Sequence, residues 1–241
     1  MVKLSVNVNK LATIRNARGS NNPDILKSVL EIISYGAQGI TVHPRPDERH
    51  IRRQDVYDIA REIKVEFNVE GYPDPDFLSL VHVVKPQQCT LVPDSPDVLT
   101  SNSGWCMESH FILLKKTIED LHQHGIRTAL FIDPYKLNDS ELKLIQLSGT
   151  DRVELYTQAY AESYGTKHQD ATLQVYSDAA AAMYDIGVEV NAGHDLDLEN
   201  LRLFVQSIPE IQEVSIGHAL ICDALHFGMQ ETITRYLDCC R

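Results

Sequence analysis

Short runs of β-branched and other apolar residues recur along the chain, separated by longer stretches with helical spacing. Such runs, bounded by turn residues, are typical of buried strands. They predict strands at Leu4–Val8, Gly39–Val42, Glu66–Val69, Cys89–Val92, Thr128–Ile132, Val153–Tyr156, Val188–Asn191 and Val214–Ile216. Strands that alternate with helices in this way indicate parallel βα units.

The stretches between the strands place apolar residues three and four positions apart, on one face of a helix. Clear examples are the sets Ile25, Val29, Ile32, Ile33 and Val56, Ile59, Ala60, Ile63, and the final set Ile233, Tyr236, Leu237, Cys240. Eight βα units in about 250 residues are typical of a (β/α)8 TIM barrel. We therefore predict an α/β fold, a single TIM-barrel domain over residues 1–241 with extra helical and loop segments.

An open doubly wound sheet is the alternative fold, but neither a Gly-x-Gly-x-x-Gly nor a Gly-x-x-x-x-Gly-Lys-Ser/Thr loop is present to support it. Three connections after strands, residues 9–23, 94–107 and 157–170, are longer than the usual roughly two to six residues and are predicted to be loops. In a barrel such loops surround the active site. Residues 101–104 are predicted to form a closing loop.

The net charge of −12 opposes nucleic-acid binding, which depends on cations set against phosphates. Residues 1–53, however, hold nine Lys or Arg against four Asp or Glu, a local excess that favours small anionic ligands. No apolar stretch approaches the roughly 20 residues that span a bilayer, so no membrane partner is expected. Five cysteines without Cys-x-x-Cys spacing favour free thiols in a reducing compartment, the cytoplasm.

Polar residues stand where five of the predicted strands end. Strand 1 ends at Asn7 and Asn9, strand 2 at His43 with Arg45 beyond it, and strand 3 at Glu70; strand 7 leads into Gly193-His194 and strand 8 into Gly217-His218. Each residue alone could be a packing group. Together they predict an acid-base site, because a partly desolvated carboxylate and imidazoles exchange protons near neutral pH.

Phosphate binding is the second prediction, since loops after strands 7 and 8 of a barrel commonly hold phosphate on backbone N–H groups. Two separate basic clusters, one at Arg15 and Arg18 and one between Arg45 and Arg53, favour two phosphates. A metal-dependent hydrolase stays open as a rival because residues 43–50 are rich in ligand types. The paired histidines of such barrels are absent from strand 1, so no metal is predicted.

Five motifs together resemble the pyridoxine 5'-phosphate synthase family. They are Val6-Asn-Val-Asn-Lys-Leu-Ala-Thr-Ile-Arg-Asn-Ala-Arg-Gly19, Gly39-Ile-Thr-Val-His-Pro-Arg45, Phe67-Asn-Val-Glu70, Val190-Asn-Ala-Gly-His194 and Ile216-Gly-His-Ala219. The likeness runs in order from Leu4 to the last helix. It implies condensation of 3-amino-2-oxopropyl phosphate with 1-deoxy-D-xylulose 5-phosphate to pyridoxine 5'-phosphate, inorganic phosphate and water.

The resemblance also implies roles for individual residues. Glu70 and His43 become proton acceptors and His194 a proton donor. The amino-ketone phosphate would be held by Asn7, Arg18, Gly217 and His218, and the deoxyxylulose phosphate by Arg45, His50 and Thr100. Asn9, Lys10 and Asp195 depart from the family pattern at further substrate contacts.

The same resemblance implies an enzyme that works without a metal or organic cofactor and a homo-oligomer, an octamer built as a tetramer of dimers. Two rival hypotheses remain besides the metal-dependent hydrolase. One is a related barrel enzyme that accepts a different phosphorylated ketose or amine. The other is a non-catalytic barrel that only binds a phosphorylated metabolite.

Overall fold

Eight parallel strands close into one barrel, as the alternation of apolar runs predicts. The computed structural model describes residues 1–93 and 103–241. The strands are β1 Lys3–Asn7, β2 Gly39–Val42, β3 Glu66–Gly71, β4 Gln88–Leu91, β5 Arg127–Ile132, β6 Arg152–Tyr156, β7 Glu189–Gly193 and β8 Ile211–Ile216. Each strand pairs with the next, and β8 pairs with β1 from Lys3↔Glu213 to Val6↔Ile216, which closes the sheet.

Helices surround the barrel between the strands. They are α1 Asn9–Arg18, α2 Ile25–Ser34, α3 Arg53–Glu62, α4 Pro75–Val84, α5 Met107–Gln123, α6 Asp139–Ser148, α7 Gln158–Ser163, α8 Gln169–Asp185, α9 Leu201–Ser207, α10 His218–Phe227 and α11 Met229–Cys239. Within the described residues, no helix is both long enough and apolar enough to span a bilayer.

Two of the predicted long loops are wrong. Residues 9–23 contain α1, and residues 157–170 contain α7. The helical face of α1 is hard to see in the sequence because its buried residues are Leu11, Ala12 and the cation Arg15. The Arg15 guanidinium is satisfied inside the fold by the Asp55 carboxylate and the His50 carbonyl. Residues 94–102 of the third connection, with the first half of the predicted closing loop at residues 101–104, lie outside the described residues.

The main apolar core lies between the barrel and its helices. Side chains of a strand alternate between the two faces of a sheet. In β3, Phe67 and Val69 belong to this core, whereas the intervening Asn68 makes hydrogen bonds with Thr41 and Thr90 on the neighbouring strands. The inside of the barrel is consequently polar along much of its length.

An ionic cluster fills the amino end of the barrel. Glu66 accepts hydrogen bonds from Arg127 and from Arg152 Nη1, the latter at 3.3 Å, while Arg152 Nε donates to Glu189 Oε2 at 2.6 Å. The Gln88 amide oxygen accepts from both arginines. The side chains of Arg152 and Glu66 are 8% and 12% exposed, so this ion pair is largely withdrawn from water.

Replacing Arg152 with Leu should destabilise the fold strongly, because Glu66 would lose a charged partner in a site that water screens poorly. Removing one member of a buried ion pair costs about 3–5 kcal/mol. Urea unfolding followed by circular dichroism would measure the loss. Arg61→Leu is the control, since Arg61 lies 3.9 Å from Asp58 on the surface and such pairs contribute about 0–1 kcal/mol. Equal effects of the two changes would contradict a special role for the ionic cluster.

Candidate active site

A cavity of about 500 Å³ lies at the carboxyl end of the barrel, where active sites of this fold occur. Eleven of the thirteen residues that the sequence predicts for the site line it: Asn7, Asn9, Lys10, His43, Arg45, His50, Glu70, His194, Asp195, Gly217 and His218. Arg18 is exposed at the end of α1 and does not line the cavity, and Thr100 lies outside the described residues. The roles of all thirteen residues stay predictions.

His43 and Glu70 form the buried acid-base pair of the cavity. His43 Nδ1 lies 3.7 Å from Glu70 Oε2, and the two residues are 7% and 8% exposed. Burial, and then the positive charges of Arg45, His50 and Arg49, hold the pKa of His43 well below its usual range. His43 is therefore neutral near pH 7 and has a ring nitrogen that can accept a proton.

The ends of β1 and β2 are fastened to each other by two asparagines. The Asn9 N–H donates to Asn7 Oδ1 at 3.0 Å, and the His43 N–H donates to Asn9 Oδ1 at 3.0 Å. Asn9 thereby fixes the backbone that carries His43. An amide suits this position because its oxygen accepts a hydrogen bond without adding charge.

His194 is held by its neighbour Asp195. The two side chains meet at 2.7 Å between His194 Nδ1 and Asp195 Oδ2, and the hydrogen bond to His194 lowers the pKa of Asp195. Tyr156 packs edge-on against the His194 ring, with centroids 5.0 Å apart. A carboxylate on one ring nitrogen favours an imidazole that carries a proton there, which leaves the other nitrogen toward the cavity.

Cationic side chains lie close to His50, which lines the cavity. Burial, and then the charges of Arg45, Lys10 and Arg49, lower the pKa of His50 to about 4. Gly217 and His218 also line the cavity, and α10 begins there without a side-chain hydrogen bond to cap its first turn. Free N–H groups at a helix start bind anions readily. The cations and this helix start are both suited to binding anions.

Glu154 is a cavity residue that the sequence prediction missed. It stands in the middle of β6, is 4% exposed and lines the cavity together with Tyr156, Gln158 and Ser215. Burial, and then the nearby Glu213, raise the pKa of Glu154 to about 8, against a hydrogen bond from Thr90 that lowers it. The period-two pattern of Arg152-Val-Glu-Leu-Tyr156, with polar residues alternating with apolar ones, was the signal that could have found it.

Gly193 makes room for this carboxyl group. A Cβ built on Gly193 would overlap Glu154 Oε1 and come within 3.1 Å of Glu154 Cδ. Gly193 begins a loop that is predicted to bind phosphate, and the close approach of Glu154 also requires a glycine there.

A neighbouring cavity of about 740 Å³ shares His43 and Arg45 but extends outward over Pro44, Tyr72 and Phe77. It contains neither Glu70 nor Glu154 nor His194 among its lining residues. We assign the chemistry to the smaller cavity because the acid-base groups converge there.

The chain matches the family model described as pyridoxal phosphate biosynthesis protein PdxJ over residues 4–241. The chain belongs to the PdxJ family. Two curated relatives named pyridoxine 5'-phosphate synthase support this: one from Porphyromonas gingivalis is 52% identical over 240 residues, covering 99% of this chain and 98% of the relative. One from Bacteroides fragilis is 52% identical over 242 residues, covering 100% of both chains.

Solved structures that resemble this PdxJ-family chain share its fold at low sequence identity. The tryptophan synthase A-subunit from Pyrococcus furiosus superposes with a TM-score of 0.65 at 14% identity, covering 98% of this chain and 97% of the other. Phosphoribosylanthranilate isomerase from Thermotoga maritima gives 0.59 at 12% identity, covering 100% and 98%. Both likenesses support the barrel fold alone.

The raised pKa of Glu154 should appear in the pH dependence of stability. Glu154 has a pKa near 8 in the folded chain against an ordinary value of 4.5, so the folded chain binds this proton more tightly than the unfolded chain does. The resulting stabilisation is fully present below pH 4.5 and is lost as the pH rises through 8. Glu154 should therefore lower the free energy of unfolding by up to about 1.4 kcal/mol per pH unit across this window, in addition to the slope from Glu213, whose pKa burial raises to about 7. Glu154→Gln should remove the share of the slope that Glu154 contributes, as measured by urea unfolding at several pH values.

Glu199→Gln is the matched control, because Glu199 is an exposed carboxylate outside the barrel. It should unfold with the same pH dependence as the wild type. A Glu154→Gln variant that keeps the wild-type slope would show that Glu154 is not held neutral.

Proposed function

We propose that this chain acts as a pyridoxine 5'-phosphate synthase, condensing 3-amino-2-oxopropyl phosphate with 1-deoxy-D-xylulose 5-phosphate to pyridoxine 5'-phosphate, inorganic phosphate and water. Membership of the PdxJ family supports the reaction. The observation that carries the proposal for the site is the convergence of Glu70, His43 and His194 in one cavity, which Lys10, Arg45 and Gly217 also line.

The chemistry consists of proton transfers around carbonyl groups. Forming an imine, losing phosphate and closing the ring each require a proton to leave one atom and another to be delivered. In the proposal, Glu70 and neutral His43 accept protons from the substrate. His194, oriented by Asp195, donates a proton to a departing oxygen.

Glu154 takes a supporting part in the proposal. A carboxyl group with a pKa near 8 still carries its proton at neutral pH, so it can donate a hydrogen bond to an oxygen on which charge develops. Its position on the cavity floor brings it to the same space as Glu70.

The substrates are small molecules with one phosphate each, and the cavity has two regions that suit them. Lys10, Arg45 and His50 are proposed to hold the phosphate of the deoxyxylulose. Asn7, Gly217 and the first turn of α10 are proposed to hold the amino-ketone phosphate. Asp195 does not obstruct this binding in the proposal, because a hydrogen bond holds its carboxylate on His194.

Homo-oligomeric assembly, up to the octamer built as a tetramer of dimers that the resemblance implies, is part of the proposal. Large apolar side chains on the outer helices, such as Ile112 at 84% and Leu225 at 75% exposure, are suited to subunit contacts. The cytoplasmic location stays a prediction.

The proposal is tested by mixing the purified protein with both substrates and detecting pyridoxine 5'-phosphate by liquid chromatography and mass spectrometry. Glu70→Gln should lower kcat by about 10²–10⁴-fold because the proton acceptor is lost. Its fold, followed by circular dichroism, should be unchanged. Glu62→Gln, an exposed change at the end of α3, is the control and should keep wild-type turnover.

A wild-type protein that is folded but forms no pyridoxine 5'-phosphate would overturn the assigned reaction. The alternative, a different phosphorylated ketose or amine, would then be supported by phosphate release with other substrates. Full activity in Glu70→Gln would refute the role of Glu70 while leaving the reaction intact.

Lys10→Met should raise KM for 1-deoxy-D-xylulose 5-phosphate, because a charged contact with the phosphate of this substrate is lost. A hydrogen bond to a charged group is worth about 1.5–3 kcal/mol, which corresponds to roughly a 10–100-fold rise. Steady-state kinetics with each substrate varied in turn would measure it.

The matched control for this change is Lys27→Met on the exposed side of α2. The assignment of Lys10 would be wrong if KM rose for the amino-ketone phosphate instead, or if only kcat fell.

A further inference from the structure

Two histidines and an aspartate meet on the outside of the barrel, away from the cavity of the candidate active site. His82 lies in the last turn of α4, Asp120 near the end of α5, and His124 directly after α5. Helices of a (β/α)8 barrel run back toward the amino ends of the strands, so helix ends lie at the face opposite the active site. The cluster is therefore separate from the proposed acid-base site.

The three side chains are close enough to share one ion. His82 Nε2 lies 2.8 Å from Asp120 Oδ2, and the two imidazole rings stack with centroids 4.1 Å apart and planes at 19°. One ligand atom from each residue can be chosen so that all three lie within 4.8 Å of one another. Within residues 1–93 and 103–241, no other group of His, Cys, Asp or Glu side chains meets this condition.

His82 provides the first evidence, besides proximity, that these side chains can bind an ion. Its Nε2 is buried and makes no hydrogen bond with any described residue, although Asp120 Oδ2 is only 2.8 Å away. The carboxylate oxygen is at ion-pair distance but lies off the direction in which a ring N–H would donate. A nitrogen lone pair and a carboxylate oxygen that converge without such a bond are suited to a shared cation.

His124 supplies the second sign. Its Nδ1 lies 2.8 Å from the Asp120 carbonyl oxygen, so Nδ1–H donates and Nε2 keeps a free lone pair. Histidines that bind metals commonly donate their other ring N–H to a backbone carbonyl, which fixes the tautomer and the ring direction. The backbone of Asp120 thus orients one ligand while its side chain provides another.

We propose that His82, Asp120 and His124 bind a divalent transition metal, with Zn²⁺ as the favoured ion, and that a water molecule completes the coordination. Two imidazoles and one carboxylate are a donor set that Zn²⁺ accepts in tetrahedral geometry. Zinc–ligand distances of about 2.0–2.1 Å put tetrahedral ligands about 3.3 Å apart. The ligand atoms now lie within 4.8 Å of one another, so the side chains must rotate slightly to reach this spacing, and the partial exposure of all three leaves room for that.

The bound metal would join the end of α4 to the end of α5. These helices follow successive strands β3 and β4, so the ion crosslinks two neighbouring βα units on the outer ring. An ion that binds only the folded chain stabilises it in proportion to its concentration. The site is thus structural, and its loss should leave the catalytic constants unchanged.

The test is isothermal titration of Zn²⁺ into protein stripped of metal with a chelator, together with thermal unfolding with and without Zn²⁺. The wild type should bind one Zn²⁺ per chain at this site and unfold at a higher temperature in its presence. His82→Ala and His124→Ala should each weaken this binding at least about tenfold and remove the thermal shift. Their kcat and KM should match the wild type.

His122→Ala is the matched control, because His122 lies on the same helix and its Nε2 is already hydrogen-bonded to Asp151 Oδ2 at 2.8 Å. It should keep the zinc affinity of the wild type. The proposal is overturned if the wild type binds no Zn²⁺, if both His82→Ala and His124→Ala bind it unchanged, or if His122→Ala loses it equally.

Should the alanine variants fail to fold, zinc-edge anomalous diffraction from wild-type crystals decides the question. An anomalous peak between His82, Asp120 and His124 supports the proposal. A peak at His43 or His50, or no peak at all, contradicts it.

Discussion

The alternation of side chains along the strands is the constraint on which the rest of the molecule depends. In β3, Phe67 and Val69 face the helices, and Glu66, Asn68 and Glu70 face the barrel axis. Because polar and charged groups are expensive to bury, each must find a partner inside the barrel. Glu66 meets Arg152, Asn68 meets Thr90, and Glu70 meets His43.

The charge balance around the buried carboxyl groups therefore changes along the barrel interior. At the amino end, ion pairs balance the carboxylate of Glu66. In the middle, burial and the charge of Glu66 raise the pKa of Glu213 to about 7, against the opposing effect of Arg152. In β6, burial and Glu213 raise the pKa of Glu154 to about 8 without opposition from a cation. The cavity is therefore lined by an acid that carries its proton near neutral pH.

Much of this could be predicted from the sequence. The eight strands are confirmed because outward-facing Val, Ile and Leu mark them, and Glu70 and His43 stand out because they end such strands. Glu154 was missed because barrel strands were expected to be nearly continuous apolar runs, so a polar residue in mid-strand had no assigned place. Its partner Glu213 lies far along the sequence and is brought to it only by the closed barrel.

The same limit explains the errors around α1. Arg15 and Arg18 look alike in the sequence, and both were candidates for phosphate binding. Arg15 is buried because Asp55 and the His50 carbonyl, both from the region after β2, satisfy its guanidinium, whereas Arg18 stays exposed. Arg15 and Arg18 are thus distinguished by a contact between two βα units, which is formed only in the folded chain.

Asp195 shows how local geometry can reverse an electrostatic expectation. A carboxylate next to a phosphate-binding loop should repel the ligand, yet both His194 and Asp195 adopt positive φ, 79° and 52°, which turns the Asp195 side chain back onto the imidazole. Such backbone conformations cost about 1–3 kcal/mol each in non-glycine residues and persist where the surrounding structure requires them. Here they convert a repulsive charge into the partner that orients the proposed proton donor, so the departure from the family pattern is compatible with the family's chemistry.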